Sequence, residues 1–328
     1  MRVEGGSARI RWIDEVRGLA IILVIIGHVI GGLSSEIGGG EDNILRTAIY
    51  SFHMPLMFII SGLVAHESEY KGMKDFLNKI LRLLLALYVP YLLWGYAFWA
   101  VKYFVYAGNT ETSLQQAIEL FWNYSAWVPG WYLLTLLIIK IVDLCVDDFM
   151  INQKGRIAIW CMLFILGGCF ADVYLVSEIL KFGIFYQIGK IMRNTEFLRS
   201  QIYTCQNYIM LLGVASICRF SNHLNYIMDF CIAISISGLI ILLFLLSNRP
   251  SKMLETIGRG SMAPYVLHAY MTIPIRVVLQ KCDCQDFAVY VIAETVVAVL
   301  LSLIVIKIME RFKWIKAFFY PTVLLKRN

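Results

Sequence analysis

Apolar runs long enough to cross a membrane recur along the whole chain, and clusters of charged or polar residues separate them. About 20 apolar residues cross the hydrocarbon core of a bilayer as an α-helix. The pattern therefore predicts an all-α, polytopic membrane helical bundle of about ten transmembrane helices. We place these spans at residues 13–33, 44–66, 80–105, 127–146, 157–175, 181–192, 202–218, 225–246, 261–280 and 287–309. The sixth is short for a full crossing and is interpreted as re-entrant or tilted.

Composition agrees with this pattern. The chain of 328 residues is 59% hydrophobic and only 16% charged, with a mean hydropathy of +0.69. A soluble protein of this length needs more charge to cover its surface. Since no linker or soluble segment of domain size separates the spans, we predict a single integral membrane domain over residues 1–328, with no separate soluble domain.

Charge predicts the orientation of the bundle. Under the ten-span assignment, most of the 29 Lys and Arg residues fall on the side of the N-terminus. By the positive-inside rule, both termini are cytoplasmic and the protein is a multi-pass protein of the inner (plasma) membrane. The net charge of +6 then reflects anchoring at the lipid bilayer, and no basic soluble domain is left for nucleic acid.

The first span carries two ionisable residues within the stretch VRGLAIILVIIGHV. An ionised side chain at the centre of a membrane helix costs about 2.5–3.5 kcal/mol, so such residues are functional candidates by default. Arg17 and His28 are eleven residues apart, which is about 16 Å along a helix. After whole turns are subtracted, the two side chains differ by a rotation of about 20° around the helix axis. One helix face therefore presents a cation near one edge and an imidazole deeper in. A buried structural histidine is the alternative.

His53 lies in the second span, within SFHMPLMFIISG, at a depth comparable to that of His28. We expect Pro55 to loosen the helix just after it by removing a backbone donor. Two imidazoles at one level suit general acid–base chemistry, since a neutral imidazole is a base near pH 7. A proton relay in a transporter fits them equally well.

Two further motifs carry charge at span entrances. Lys79 and Arg82 are three apart, on neighbouring positions of one helix, where they suit phosphate binding or ordinary membrane anchoring. Arg259 begins the stretch RGSMAPYVLH, whose His268 lies about two turns into the ninth span. A bend at Pro264 would aim His268 inward, although a packing role is an equal expectation for it. The cysteines show no CxxC spacing, so we expect no metal.

Together these motifs resemble the acyltransferase-3 family of integral membrane acyltransferases. The resemblance covers nearly the whole chain. It rests on the Arg-x10-His spacing of Arg17 and His28, on FHMPLMFIISG, and on the runs GWYLLTLL and IGRGSMAPYVLH. The third-span element is usually R-x-x-R and reads K-x-x-R here, at Lys79 and Arg82; lysine lacks the bidentate fork of arginine.

The resemblance implies transfer of an acyl group, most often acetyl, from coenzyme A to a hydroxyl of a surface polysaccharide or its lipid-linked precursor. In this interpretation the catalytic residues are His28, as general base or transient acyl acceptor, and His53, as its partner. The residues expected to bind acetyl-CoA are Arg17, Arg82, Lys79, Arg259 and His268. The alternatives are a proton-coupled transporter or flippase that uses the intramembrane histidines as a relay, and a scaffolding subunit.

Overall fold

The computed structural model describes residues 10–40, 43–65, 72–105, 112–149, 153–167, 174–193 and 225–325. Regular structure in these ranges is helical, and they contain no strand. The all-α class predicted from the apolar runs is therefore confirmed. The predicted span at residues 202–218 lies outside the described ranges.

The helices follow the apolar runs closely. They are α1 (Arg11–Gly31), α2 (Ile44–Tyr50), α3 (His53–Leu63), α4 (Met73–Leu83), α5 (Val89–Val105), α6 (Leu114–Glu119), α7 (Trp131–Phe149), α8 (Gln153–Gly167), α9 (Tyr174–Met192), α10 (Asn225–Leu246), α11 (Lys252–Arg259), α12 (Met262–Lys281), α13 (Phe287–Arg311) and α14 (Lys313–Phe319). A π-helical stretch, Leu84–Tyr88, joins α4 to α5 without a break.

Six of the described helical segments are long and apolar enough to cross a membrane: Ile44–Leu63, Met73–Phe104, Val128–Val146, Ile227–Leu246, Met262–Lys281 and Phe287–Arg311. The chain is thus a membrane protein by the length and composition of its helices. Helix α1 is as long as these segments, but four of its first seven residues are charged. The count of about ten spans and the side of the termini stay predictions.

Two of the predicted spans differ from the structure. The sixth is the second half of a 19-residue helix, because residues 174–180 continue α9 upstream of the predicted start. The second is interrupted by a turn at residues 51–52, before His53, and not by a loosening after it. Pro55 lies in the first turn of α3, where the missing backbone donor has no intrahelical partner to lose.

The described residues form two compact units, which we treat separately. The first unit comprises Met1–Ile60 and Asn194–Ile306, and the second comprises Ser61–Arg193 and Lys307–Asn328. A single membrane domain over residues 1–328 stays a prediction.

In the first unit, α1 packs closely against α11 because glycines remove the side chains between them. A Cβ added at Gly18 would lie 2.1 Å from the Leu254 carbonyl oxygen. A Cβ added at Gly258 would lie 1.8 Å from the carbonyl oxygen of Asp14. These distances are far below van der Waals contact, so the two helices meet backbone to backbone. The Ser251 N–H, at the start of α11, also donates to the buried carboxylate of Glu15 (2.7 Å).

The second unit buries polar groups in pairs. Lys190 of α9 donates to Asp143 of α7 at 2.8 Å, and Gln187 donates to the same carboxylate. The Ser61 and Tyr132 hydroxyls share a hydrogen bond of 2.8 Å, which joins α3 to α7. Ser61 of the run FHMPLMFIISG and Tyr132 of the run GWYLLTLL therefore meet within this unit.

Candidate active site

Helix α1 carries Arg17 and His28 on one uninterrupted helix, as the sequence analysis requires. Arg17 is 18% exposed and its guanidinium lies 3.6 Å from the buried carboxylate of Asp14, one turn earlier. His28 lies in the last turn of the helix and is half-buried. The cation and the imidazole are thus fixed about 16 Å apart along one rigid rod.

His268 lies directly against His28. The centroids of the two imidazole rings are 5.0 Å apart and the rings are tilted by 32°. His268 comes from α12 and is 1% exposed. His268 was predicted to bind the donor, but it lies against His28, the predicted base of the first span. Two residues 240 positions apart in the chain therefore form one imidazole pair, His28 and His268.

The hydrogen bond of His268 determines which of its nitrogens can act as a base. Nδ1 lies 2.6 Å from the carbonyl oxygen of Tyr265. A carbonyl oxygen only accepts, so Nδ1 carries the proton and the neutral ring has its lone pair on Nε2. That Nε2 is buried and has no hydrogen-bond partner in the described part of the chain. A buried polar atom of this kind is rare and calls for an explanation.

Tyr50 and His53 extend the imidazole pair. The Tyr50 ring packs edge-on to His28, with centroids 6.5 Å apart, and lies 4.7 Å from the ring of His53. His53 is 2% exposed and its Nδ1–H donates to the Ile49 carbonyl at 2.8 Å, across the turn between α2 and α3. His53 therefore also leaves Nε2 as the basic nitrogen. We call His268, His28, Tyr50 and His53 the ring row.

Small residues allow the ring row to assemble. A Cβ added at Gly27 would lie 2.6 Å from Cε2 of Tyr50, so only glycine leaves room for that ring against α1. The guanidinium carbon of Arg46 lies 4.3 Å from the centroid of the Tyr50 ring, a cation–π contact on the side chain that separates His28 from His53.

Pro264 does not bend α12 toward the site as expected. It is the third residue of the helix, within the first turn, where a proline is accommodated without loss of an intrahelical bond. The proline inside the helix is Pro274, which lies beyond His268. His268 is aimed at α1 by the packing of the buried start of α12, which also includes Val266.

The predicted donor-binding cations lie in both units. In the first unit, Arg259 is exposed at the end of α11 and follows Gly258, which touches the backbone of Asp14. Asp14 therefore adjoins both arginines, since its carboxylate faces Arg17 and its backbone touches the glycine before Arg259. In the second unit, Lys79 forms an ion pair with Asp75 at 2.9 Å, and Arg82 is exposed on α4.

Sequence reasoning missed Tyr50, Arg276 and Glu294. Arg276 of α12 donates to both carboxylate oxygens of Glu294 on α13, at 3.0 and 2.8 Å. It also donates to carbonyl oxygens at the end of α1. Both residues are ionisable groups inside predicted spans, so the rule that singled out Arg17 would have found them. Tyr50 carries no such signal, because its importance comes from its two neighbours in space.

Within the described ranges, no group of three or more His, Cys, Asp or Glu side chains is arranged to hold a metal ion. The ring row instead offers three imidazoles, each with one basic nitrogen when neutral, and a phenol, which suit proton transfer.

Comparison with known proteins identifies the family. A family model for an acyltransferase domain matches residues 10–307, nearly the whole chain. The chain belongs to the acyltransferase-3 family. The resemblance inferred from Arg17, His28 and the later motifs is thereby confirmed.

One curated relative is the nodulation protein NolL of Mesorhizobium japonicum (strain LMG 29417 / CECT 9101 / MAFF 303099). It is 27% identical over 222 residues, which cover 62% of this chain and 53% of the relative. The match thus spans about half the length of that protein. No solved structure matches this chain.

The tautomers of the buried histidines can be measured. We expect His53 and His268, when neutral, to carry the proton on Nδ1, because each faces a carbonyl oxygen there. Two-bond ¹H–¹⁵N correlation spectra of protein labelled at histidine distinguish the two tautomers. The variants His53→Asn and His268→Asn assign the signals. A proton on Nε2 of His268 would contradict the geometry described above.

Proposed function

We propose that this protein transfers an acetyl group from acetyl-CoA to a hydroxyl group of a carbohydrate. The proposal rests on the pairing of His28 with His268, whose Nε2 is buried and has no hydrogen-bond partner among the described residues. Membership of an acyltransferase family supplies the reaction class. The imidazole pair supplies a base of the kind that class requires.

The reaction needs one proton transfer in each direction. The acceptor hydroxyl oxygen attacks the thioester carbonyl carbon, and its proton passes to an imidazole Nε2. The C–S bond then breaks, the acetyl ester is formed, and the imidazolium returns the proton to the departing thiolate of coenzyme A. Two adjacent imidazoles let one ring take the proton while the other orients it, which is the usual support for a general base.

His28 has two possible roles in this scheme, which remain alternatives. As general base it deprotonates the acceptor hydroxyl directly. As a transient acyl acceptor it attacks the thioester carbonyl carbon, the C–S bond breaks, and coenzyme A leaves as a thiolate that takes the ring proton. The hydroxyl oxygen then attacks the acetyl-imidazole, and the freed imidazole takes the hydroxyl proton. His268 is suited to activate His28 in either case. His53 is the more distant partner, since the Tyr50 ring lies between it and His28.

The donor is proposed to extend along α1. Coenzyme A carries its phosphates at one end and its thioester at the other, on a long flexible arm. Arg17 has guanidinium donors beyond those facing Asp14, and the exposed Arg259 follows Gly258, which touches the backbone of Asp14. Phosphates held there would leave the arm to cover the distance of about 16 Å to His28. Arg82 belongs to the second unit, and its binding of a donor phosphate stays a prediction from the sequence. Lys79 is a weaker candidate because Asp75 already neutralises it.

The acceptor is proposed to be a surface polysaccharide or its lipid-linked precursor, reached from the outer side of the inner (plasma) membrane. Support comes from the acyltransferase family match, which the resemblance noted in the sequence extends to such acceptors, and from the bundle of apolar helices. Acetyl-CoA would enter from the cytoplasm, on the side where the positive charge of the chain predicts both termini.

The ring row also supports a second candidate function. Imidazoles within reach of one another are the components of a proton relay, so a proton-coupled transporter or flippase would use the same residues. This candidate predicts transport that depends on the proton gradient and does not depend on coenzyme A.

His28→Asn should abolish turnover and retain donor binding. We expect release of the coenzyme A thiol from acetyl-CoA, measured on protein in liposomes with a pool of oligosaccharide acceptors, to fall by about 10²–10⁴-fold, the usual contribution of a general base. Thermal stabilisation by coenzyme A should stay at the wild-type level. Cys161→Ser, which changes an exposed residue of α8, is the control. Wild-type turnover equal to that of His28→Asn would contradict the proposal and favour the transporter.

Removal of a phosphate-binding cation should weaken donor binding. A ligand present at 100 times its dissociation constant stabilises the folded state by about 2.7 kcal/mol. A charge-assisted hydrogen bond contributes about 1.5–3 kcal/mol, so Arg17→Gln and Arg82→Gln should each raise the dissociation constant for coenzyme A by about tenfold or more. Thermal shift against rising coenzyme A measures this change.

Arg11→Gln is the matched control for Arg17→Gln, because Arg11 lies on the same helix and is exposed. Pantetheine, which has the arm of the donor without its nucleotide phosphates, should bind wild type and variants alike. An equal loss of coenzyme A binding in Arg11→Gln would show that general positive charge, and not a phosphate site at Arg17, attracts the donor.

A further inference from the structure

Arg276 makes contacts that neither the proposed chemistry nor the donor site uses. Its Nη1 donates to the Gly32 carbonyl oxygen at 2.6 Å, and its Nη2 donates to the Val29 carbonyl oxygen at 3.3 Å. These carbonyls belong to the C-terminal end of α1, where the backbone acceptors lack the regular partner one turn later. The Val29 carbonyl also accepts from the Gly32 N–H at 3.2 Å. Val29 directly follows His28. The guanidinium therefore donates hydrogen bonds to the backbone next to His28, the proposed base.

Glu294 holds that guanidinium in place. The carboxylate accepts from Nε and Nη2 of Arg276 in a bidentate pair, and Glu294 is 0% exposed. Bidentate pairing fixes both the position and the plane of the guanidinium. A buried carboxylate also requires its partner, because an unpaired charge there is strongly destabilising. Helices α12 and α13 thus fix the Arg276 guanidinium, a hydrogen-bond donor, at the end of α1.

The sequence around Gly32 fits this arrangement closely. A Cβ added at Gly32 would lie 2.0 Å from Nη1 of Arg276, so any other residue would displace the guanidinium. The backbone of Gly32 is in the right-handed helical region, with φ −88° and ψ −8°. Glycine is therefore not needed there for its conformation. It leaves the space that the guanidinium occupies.

The same helix that carries Arg276 carries His268. Helix α12 therefore contacts α1 at two places, through the ring of His268 against His28 and through Arg276 against Val29 and Gly32. We propose that Arg276 and Glu294 are positioning residues that hold the end of α1 so that His28 stays against His268. This inference rests on the proposed function, because it assigns the pair a part in that reaction.

Arg276→Lys tests the proposal while keeping a cation beside Glu294. Lysine lacks the planar fork, so it cannot serve the carboxylate and both α1 carbonyls together. We expect kcat per folded molecule to fall by about 10- to 100-fold, as for a misplacement near 1 Å. The KM for acetyl-CoA should change less than about twofold, because the phosphate-binding cations are untouched. A purely structural role would lower the melting temperature and leave kcat per folded molecule unchanged.

Gly32→Ala provides a second variant that removes no charge. It should displace the guanidinium and reproduce the fall in kcat. The control is Lys281→Gln, which removes an exposed cation at the end of α12, the helix of Arg276, and should leave kcat unchanged. Unchanged kcat in both Arg276→Lys and Gly32→Ala would overturn the proposal.

A measurement without turnover separates this inference from the proposed function. Carbethoxylation of His28 by diethyl pyrocarbonate, followed by mass spectrometry with His53 as internal reference, reports the exposure of the imidazole. We expect about a threefold or larger increase in the His28 to His53 ratio in Arg276→Lys and in Gly32→Ala. If wild type shows no acetyl transfer but this ratio rises, the positioning role holds and the proposed function fails. An unchanged ratio overturns the positioning role.

Discussion

A hydrogen-bonding or charged side chain among apolar helices has to find its partner inside the protein, because lipid offers none. The rest of this structure depends on that constraint. In the first unit, Arg276 is paired with a fully buried Glu294 and with the end of α1. In the second unit, Lys190 and Gln187 both donate to Asp143. Each of these groups joins two or three helices. Burial of the charges is unfavourable by itself, and their pairing fixes how the helices are arranged.

Against that background, Nε2 of His268 is the one imidazole nitrogen among the few buried side-chain atoms that have no hydrogen-bond partner in the described ranges. A protein that satisfies its buried charges elsewhere leaves a basic nitrogen open beside a second imidazole. Glycines at the surface of α1 allow this, since Gly27 leaves room for the Tyr50 ring. The site is thus assembled by close helix approach, and the acetyl donor and acceptor supply the missing hydrogen-bond partners in the proposed reaction.

The sequence predicted those features that depend on one helix at a time. Apolar run length gave the helices, and a spacing of eleven residues gave the common face of Arg17 and His28. The sequence pattern did not predict contacts between segments that are far apart in the chain. The pairing of His268 with His28 depends on how α12 packs against α1, and no periodicity encodes that. The turn before His53 was misplaced because a proline in the first turn of a helix looks the same in sequence as one in its interior.

The central claim is that His28 and His268 act as one unit, and a double-mutant cycle on acetyl transfer tests it most directly. Asparagine at position 268 keeps a donor for the Tyr265 carbonyl and removes Nε2, so the buried hydrogen bond is retained. If the two rings share one proton-transfer step, the variant His28→Asn/His268→Asn should lose no more activity than the worse single variant, within about threefold. Losses that multiply would contradict the account and show that the two histidines contribute independently.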